Sequence, residues 1–277
     1  MDSILKWAGG KRLLVSKISE YIDSDRIKRE GAKYYEPFVG GGAIAFSLEL
    51  ENTVINDSNQ ELINMYNVIK NNCEDLIDIL KIHQQKYSDK YYEKIRALDR
   101  NKQYYNLSDA TRAARFIFLN KTCYNGLYRV NSKGHFNVPK GKYKNPDIVM
   151  EKKIYNLNQM LNDKKFEIRC VDFEEAVKDA SKGDVIYFDP PYDYEESGFT
   201  AYSSIGFKKT DLVRLKNLCD KLIEKGCRVI VSNNDTKFVN ELFNCPKYRI
   251  EHIEASRFIS CDGTNRKKVR EVIVYGE

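Results

Sequence analysis

The chain has 277 residues, of which 42% are hydrophobic and 31% are charged, which predicts one large soluble domain or a domain with a sizeable insertion. No apolar run approaches the roughly 20 residues that span a bilayer, and the first residues lack the layout of a signal peptide. These two features exclude a membrane-spanning protein and favour a cytoplasmic one, and the net charge of +6 is modest.

Strand-like and helix-like segments alternate along most of the chain. Runs rich in β-branched and aromatic residues predict strands at Tyr34–Val39, Thr53–Asn56, Phe166–Val171, Val185–Phe188 and Arg228–Ser232. Amphipathic segments predict helices at Gly42–Leu50, Asp211–Lys225 and Thr236–Phe243. Two late runs, Tyr248–Glu254 and Val269–Tyr275, have no helical pattern between them and favour an antiparallel hairpin at the sheet edge. The alternation predicts an α/β fold with a mostly parallel sheet.

The alternation is interrupted over residues 61–155. Helical patterns dominate there and cover Cys73–His83, Tyr91–Asp99 and Ala110–Leu119. In the turn-rich stretch that follows, Tyr128–Val130 and His135–Val138 could pair as a β-hairpin, since Gly134 offers the positive φ that such loops need. We therefore expect an inserted, mainly helical subdomain over this span, within a discontinuous domain of residues 1–60 and 156–277.

The inserted segment is strongly basic. Between Lys81 and Tyr155 there are 17 Lys and Arg residues against 6 Asp and Glu, a local net charge of +11, and nine of the 19 tyrosines lie in the same window. Basic residues interleaved with aromatics suit a surface that meets phosphates and bases, and the alternative is a solvated helical face.

A glycine-rich turn and an acid follow the first two predicted strands. Gly40, Gly41 and Gly42 allow the backbone to approach a ligand closely before a helix begins, although any strand-to-helix turn uses glycine. Asp57 ends the second strand, at the height where nucleotide-binding α/β folds place an acid that accepts hydrogen bonds from ribose hydroxyls. The alternative for Asp57 is the N-cap of a helix that begins at Ser58.

The predicted strand Val185–Phe188 runs into an acid, two prolines and a tyrosine, in the stretch "GDVIYFDPPYD". In one interpretation the prolines end the strand, Asp189 caps a turn and Tyr192 is surface packing. In the other, the carboxyl end of a central strand in an open α/β sheet carries a ligand site, and a rigid acid and aromatic form it. No role is evident for Asp193.

Two enzyme classes explain a glycine turn followed by Asp57. A nicotinamide-dependent enzyme needs the pattern Gly-x-Gly-x-x-Gly, whereas the chain reads "GGGAIA" here and shows no hydride-transfer site. A methyltransferase also explains Asp189 to Tyr192, because its cofactor carries no phosphate and a plain glycine turn can lie against the methionine part. The second class is favoured.

Six motifs in order carry a family resemblance. They are "LKWAGGK" (5–11), "EPFVGGGAIAF" (36–46), "NDSN" (56–59), "YNGLYR" (124–129), "FNVPKGKYK" (136–144) and "DPPY" (189–192). The chain resembles the Dam-type DNA adenine-N6 methyltransferases over nearly its whole length, with the motifs in the α-group order. The resemblance implies a Rossmann-like fold, S-adenosylmethionine as cofactor and double-stranded DNA as partner.

The resemblance implies a cofactor site built from several parts of the chain. The residues that would contact the methionine part of S-adenosylmethionine or shape the floor of its site are Trp7, Lys11, Phe38, Gly40 and Gly42. Asp57 would hold the ribose, Asp172 and Phe173 would meet the adenine, and Asp189 would border both this site and the substrate base. The alternative for Asp172 is a helix cap.

The substrate atom sets the expected mechanism. The N6 atom of adenine is a poor nucleophile and is unreachable inside a duplex, so the base is flipped out. Asp189 is expected to accept one N6 hydrogen and the Pro190 carbonyl the other, while Tyr192 stacks on the base. Pro191 and Pro190 would rigidify the loop, so that position and electrostatics suffice without a covalent intermediate.

DNA reading is expected from the basic insert. Arg129 carries a planar fork that can bind guanine O6 and N7 together. By resemblance, the other residues that would contact bases or backbone are Lys6, Tyr124, Asn125, Leu127 and Pro139, and the expected recognition site is GATC. Tyr128 departs from the family, where a smaller residue is common. Phosphate contacts are expected from Arg257, Arg266, Lys267 and Lys268, and a turn or a solvated charge is the alternative for each of these residues.

Several other functions remain open. The acceptor could be a different DNA sequence, RNA or a protein amide, or the chain could be a DNA-binding module without catalysis. Cytosine-C5 methylation is disfavoured, because it uses a Pro-Cys pair and the chain has only Cys245-Pro246. The seven cysteines are scattered and only three histidines are present, so we expect buried cysteines and no metal. A monomer is favoured, and restriction-modification is among the expected biological roles.

Overall fold

The computed structural model describes residues 3–7, 15–24, 27–28, 31–193, 207–255 and 269–277. Seven strands in this part of the chain form one sheet. They are β1 (Tyr34–Glu36), β2 (Thr53–Asn56), β3 (Glu167–Arg169), β4 (Val185–Phe188), β5 (Arg228–Asn234), β6 (Arg249–Ala255) and β7 (Val269–Gly276). The sheet order is β3-β2-β1-β4-β5-β7-β6, in which β1 to β5 are parallel and β7 is antiparallel to both neighbours. The expected Rossmann-like α/β fold with an antiparallel edge is confirmed.

Helices fill the connections between the strands. The described residues form α1 (Val15–Ile22), α2 (Ala45–Leu48), α3 (Gln60–Asn71), α4 (Cys73–Lys86), α5 (Asp89–Arg96), α6 (Asp109–Thr122), α7 (Glu151–Asp163), α8 (Lys209–Glu224) and α9 (Lys237–Phe243). Polar side chains cap several of them. Asn59 accepts the Glu61 and Leu62 N–H groups at the start of α3, and Ser108 accepts the Thr111 N–H at the start of α6. Such caps satisfy N–H groups that have no partner inside a helix.

Two predicted elements around the glycine turn are shorter than the sequence indicated. The first strand ends at Glu36 rather than Val39, because Pro37 has no N–H and the Val39 N–H instead donates to the Asn56 carbonyl at 2.9 Å. The predicted helix Gly42–Leu50 is reduced to the four residues of α2, since Glu49 adopts a left-handed conformation with φ 49° and ends it. The turn before α2 is therefore longer than expected.

The predicted hairpin in the insert is present but barely paired. Val130 and Phe136 form a single antiparallel bridge, and Gly134 has the expected positive φ of 76°. Beyond the bridge, Pro139 offers no N–H and its carbonyl accepts the Tyr124 N–H at 2.8 Å. The second arm of the hairpin therefore leaves the first and turns toward the end of α6.

Side chains on the two faces of the sheet enter separate cores. Alternation along β1 sends Tyr34 to one face and Tyr35 to the other, as the two-residue period of a strand requires. The Tyr35 face packs on α8 and α9, and the Tyr34 face packs on α1 and on the helices of the insert. The insert thus shares a continuous core with the sheet, and the boundaries of the inserted subdomain, residues 61–155, stay a prediction.

Three further expectations concern the cysteines, membrane-spanning helices and metal ions. Cys73, Cys123, Cys219 and Cys227 are buried as expected, whereas Cys170 is exposed. Among the helices that the structure describes, none is long and apolar enough to cross a membrane. The same residues contain no cluster of three or more His, Cys, Asp or Glu side chains that could hold a metal ion.

Candidate active site

The strand order reverses between β1 and β4, and this places a crevice at the carboxyl ends of the central strands. The chain continues from β1 outward to β2 and β3, then returns to the other side of β1 as β4. Ligands of open α/β sheets bind at such a point. The predicted residues that follow one of these four strands, and so reach this edge of the sheet, are Phe38, Gly40, Gly42, Asp57, Asp172, Phe173 and Asp189.

The glycine turn after β1 carries Trp7 on its surface. Gly40 has φ 47°, and a Cβ atom at this position would lie 2.7 Å from the Trp7 ring. Gly42 has φ 70°, and a Cβ there would enter the Phe46 ring. Each position therefore requires glycine for its conformation and for space. Lys11, the other predicted contact of the methionine part, lies outside the described residues.

Asp57 is held at the end of β2 by backbone donors. Its Oδ2 atom accepts the Gly40 N–H at 3.1 Å, and its Oδ1 atom accepts the Asn59 N–H at 2.9 Å. Burial raises the pKa of Asp57, and the two N–H donors oppose that rise. The helix after β2 begins at Gln60 with Asn59 as its cap, so the interpretation of Asp57 as the N-cap at Ser58 is wrong.

Asn56 joins three strand ends and was missed by the sequence analysis. The side-chain amide donates to the Pro37 carbonyl at 2.9 Å and to the Val171 carbonyl at 3.1 Å, and it accepts the Val171 N–H at 2.9 Å. This buried side chain fixes the ends of β1 and β3 against β2. A polar residue within an apolar strand, directly before Asp57, was the signal that could have found it.

Three aromatic rings pack together beside the carboxyl ends of β1 and β3. The Phe38 ring centroid lies 5.5 Å from that of Phe173 and 5.6 Å from that of Phe207, a residue that the sequence analysis missed. The Arg214 guanidinium lies 4.9 Å from the Phe173 ring centroid and donates to Asp172 at 3.0 Å. Three rings with a carboxylate beside them suit an uncharged heteroaromatic ring with an amino group.

The Asp189 to Tyr192 segment is tied to β5 and β7. The Ser232 hydroxyl donates to Asp189 Oδ1 at 2.9 Å, and the Tyr192 hydroxyl donates to Glu271 Oε2 at 2.8 Å. Burial raises the pKa of Tyr192 well above its usual range, with the nearby Asp189 charge as a further cause. Pro190 is buried and Pro191 is exposed. The acid is therefore fixed by a side chain of β5, and the ring by a side chain of β7.

Asp193, which had no role in the sequence analysis, clamps the end of this segment. Its N–H donates to Asn233 Oδ1 at 2.9 Å, its carbonyl accepts from Asn234 Nδ2 at 2.6 Å, and its Oδ2 atom accepts from the Thr236 hydroxyl at 2.8 Å. All three partners belong to the end of β5 and the start of α9. Asp193 is a structural anchor that holds the loop on the sheet edge.

The predicted DNA-reading residues lie on the loop after α6. Tyr124, Asn125, Arg129 and Pro139 are exposed there, and Leu127 is half-buried. The Arg129 Nε atom donates to Asn137 Oδ1 at 2.8 Å, across the hairpin bridge. This contact orients the guanidinium of an exposed side chain.

A buried asparagine joins this loop to the N-terminal segment. Asn120 Oδ1 accepts the Lys6 N–H at 3.0 Å, and Asn120 Nδ2 donates to the Lys6 carbonyl at 2.7 Å and to the Gly126 carbonyl at 3.0 Å. The Lys6 ammonium donates to the Tyr143 hydroxyl at 3.1 Å. Lys6 and the loop that carries Arg129 therefore share one rigid support.

Tyr128, which stands where a smaller residue is common in the family, has a packing role. Its ring stacks on Trp7 with centroids 6.0 Å apart and an interplanar angle of 22°. Because Trp7 also covers Gly40, one aromatic pair connects the glycine turn with the loop that carries Arg129.

Positive charge is concentrated beside the loop. Burial, together with the positive charges of Lys153 and Lys6, lowers the pKa of Lys121 to about 8. Lys6, Lys121 and Lys153 together create a local positive potential, which fits a polyanionic ligand.

Comparison with known proteins identifies relatives over the whole of this architecture. The model of the D12 class N6 adenine-specific DNA methyltransferases matches residues 7–259. A type II methyltransferase of Lactococcus lactis subsp. cremoris is 42% identical over 97% of this chain and 93% of its own length. A type II methyltransferase of Methanocaldococcus jannaschii is 40% identical over 95% and 94%. The DNA N-6-adenine-methyltransferase of Escherichia phage P1 is 36% identical over 98% of this chain and 35% of its own length.

Proposed function

The chain belongs to the D12 class of N6 adenine-specific DNA methyltransferases, and from this premise we propose that it methylates N6 of a flipped-out adenine in GATC sites of double-stranded DNA, with S-adenosylmethionine as methyl donor. The observation that carries the proposal is the arrangement of one sheet edge. Asp57, the ring cluster around Phe38 and the fixed Asp189 follow neighbouring parallel strands there. A basic loop with Arg129 is joined to the same edge through Asn120 and Lys6.

The residues at the sheet edge fit S-adenosylmethionine by their chemistry. Phe38, Phe173 and Phe207 provide apolar faces for an adenine ring, and Asp57 provides the anionic acceptor that ribose hydroxyls need. The turn at Gly40 brings backbone rather than a side chain to the ligand. When bound, the cofactor supplies a methyl group on a sulfonium centre.

The Asp189 to Tyr192 segment would hold the substrate base. In this proposal Asp189 accepts a hydrogen bond from one N6–H group, and the Pro190 carbonyl accepts a hydrogen bond from the other. The two bonds localise the nitrogen lone pair and aim it at the methyl group. Tyr192 stacks on the flipped adenine, and its hydrogen bond with Glu271 keeps the ring in place. Fixed acceptors of this kind stabilise the charge that develops on nitrogen during transfer.

Incubation of unmethylated DNA with isotopically labelled S-adenosylmethionine tests the proposal. We expect label at N6 of adenine in GATC, and no incorporation when both strands of GATC are already methylated. Mapping of the modified base by digestion and mass spectrometry checks the atom and the sequence. Label at adenine in another sequence would overturn the GATC assignment, and label only on RNA or protein would overturn the acceptor.

Replacing Arg129 by alanine is expected to relax discrimination at one guanine of the site. The loss of a bidentate contact corresponds to about 1–3 kcal/mol, or roughly 5- to 150-fold in specificity. The measurement compares kcat/KM on GATC duplexes with duplexes in which the guanine is replaced. Lys133→Ala is the matched control, because this exposed residue lies in the same hairpin loop. Unchanged discrimination in Arg129→Ala would remove this residue from the reading surface.

A further inference from the structure

A chain of buried hydroxyl groups lies directly behind Asp189. The Tyr187 hydroxyl is 2.8 Å from Ser232 Oγ, and Ser232 Oγ is 2.9 Å from Asp189 Oδ1. Tyr187 and Ser232 are both 0% exposed. We propose that Ser232 and Tyr187 are positioning residues that fix the Asp189 carboxylate for methyl transfer; this inference rests on the proposed function of Asp189.

The chemistry of the three groups determines which group donates each hydrogen bond and which accepts it. An ionised carboxylate can only accept, so the single Ser232 hydroxyl hydrogen must be directed at Asp189. The Ser232 oxygen then accepts, and the Tyr187 hydroxyl is its donor. Burial raises the pKa of Tyr187 well above its usual range, and the Asp189 charge adds to this effect, so the phenol keeps the hydrogen that it donates. Hydrogen bonds aligned in one direction polarise and strengthen one another.

The register of β4 against β5 holds the two hydroxyl groups and Asp189 in line. Tyr187 and Asp189 are two residues apart, so their side chains leave the backbone on the same face. On the neighbouring strand, Ile230 pairs with Tyr187 and Val231 with Phe188, which puts Ser232 opposite Asp189. Asp189 is therefore held from the core of the sheet through the side chain of Ser232.

The two buried hydroxyl groups of Tyr187 and Ser232 are not needed for packing alone. Burying a hydroxyl costs free energy unless a hydrogen bond compensates, and phenylalanine with alanine would fill the same space without polar atoms. The hydroxyls lead to Asp189 and so serve its orientation. A carboxylate that rotates freely would accept the N6 hydrogen in only a fraction of complexes, which lowers the transfer rate without weakening DNA or cofactor binding.

The test measures single-turnover methyl transfer on a GATC duplex for Ser232→Ala and Tyr187→Phe. We expect the rate constant to fall about 10- to 100-fold in Ser232→Ala and by a smaller factor in Tyr187→Phe. The dissociation constants for DNA and S-adenosylmethionine should stay within about twofold of wild type. Ser232→Thr, which restores a hydroxyl, should recover part of the rate. In an Asp189→Asn background, Ser232→Ala should cause little further loss, because the hydroxyl acts through the carboxylate.

Tyr248→Phe is the matched control. Tyr248 is also buried, lies on the opposite face of the sheet, and donates to a different carboxylate, Asp220, at 2.8 Å. An equal loss of rate in Tyr248→Phe and Tyr187→Phe would overturn the proposal, because any buried hydroxyl would then support the rate through the fold alone.

The outcomes separate this inference from the function on which it rests. Wild-type protein without methyl transfer to adenine, or an active Asp189→Ala variant, would overturn the proposed function. An inactive Asp189→Ala variant together with rates for Ser232→Ala and Tyr187→Phe within twofold of wild type would overturn only the positioning role. If Ser232→Ala fails to fold, Tyr187→Phe decides, since it keeps the ring and removes one oxygen.

Discussion

Replacing Asp189 by alanine is expected to abolish methyl transfer, with a loss of at least about a thousandfold in the single-turnover rate constant. In the proposed mechanism this carboxylate is the one side-chain acceptor for the N6 hydrogens, and the Pro190 carbonyl alone cannot redirect the nitrogen lone pair. The chain should still fold and bind S-adenosylmethionine, because Asp57 and the rings around Phe38 are held by other contacts. Rapid-quench assays and a cofactor-binding titration measure the two properties separately.

Two further variants define what the Asp189 result means. Asp189→Asn keeps the shape of the side chain and an acceptor oxygen but removes the charge, so it should retain more activity than Asp189→Ala and far less than wild type. Asp78 lies on α4 and its side chain is 77% exposed. Asp78→Ala should therefore leave the rate unchanged. Substantial activity in Asp189→Ala would contradict the hydrogen-bond acceptor role directly.

The strands could be predicted from the sequence because their signal is local. Buried parallel strands are continuous runs of β-branched and aromatic residues, and β2 and β4 match their predicted bounds. The helices of the insert were placed within a few residues. Helix α3 was expected only as the alternative to a ligand role for Asp57, with its start at Ser58 rather than Gln60. Helix ends and turns were less accurate, since Pro37 and the left-handed Glu49 act through backbone details that periodicity does not contain.

The sequence predicted those residues of the candidate site that directly follow a strand within a recognisable motif. Asp57 and Asp189 follow strands, so the topology alone brings them to one edge of the sheet. Asn120, Ser232 and Phe207 act through contacts with segments far away in the sequence, and no local pattern marks them. Residues that orient a site from a distance become visible only when the fold is known.

The loop that carries Arg129 is supported by a buried ion pair, and breaking this pair is the second large expected effect. Arg115 lies on α6 and forms a salt bridge with Asp99 at 2.8 Å, with side-chain exposures of 6% and 10%. Its guanidinium also donates to the Ile95 and Arg96 carbonyls at 2.9 Å each. Asp99 Oδ2 accepts the Phe136 N–H at 2.7 Å, so the pair ties the helix to the hairpin that carries Arg129.

Replacing Arg115 by methionine is expected to lower the free energy of unfolding by about 3–5 kcal/mol. The substitution fills most of the volume but leaves Asp99 as an unpaired buried charge. Because the insert shares a core with the sheet, urea unfolding should show one transition at lower denaturant concentration rather than two. Lys237→Met is the control, since its pair with Glu241 is exposed at 82% and 65% and such pairs contribute little.

Combining Arg115→Met with Asp99→Asn separates the unpaired charge from the lost packing. The asparagine oxygen can still accept the Phe136 N–H, while the buried negative charge is gone. We therefore expect the double variant to recover more than half of the lost stability, since most of the cost of breaking a buried pair is the charge that remains. DNA binding should follow the same order as stability, because the hairpin with Arg129 is anchored through Asp99. A double variant no more stable than Arg115→Met alone would show that the carbonyl contacts of Arg115, and not the ion pair, hold the loop in place.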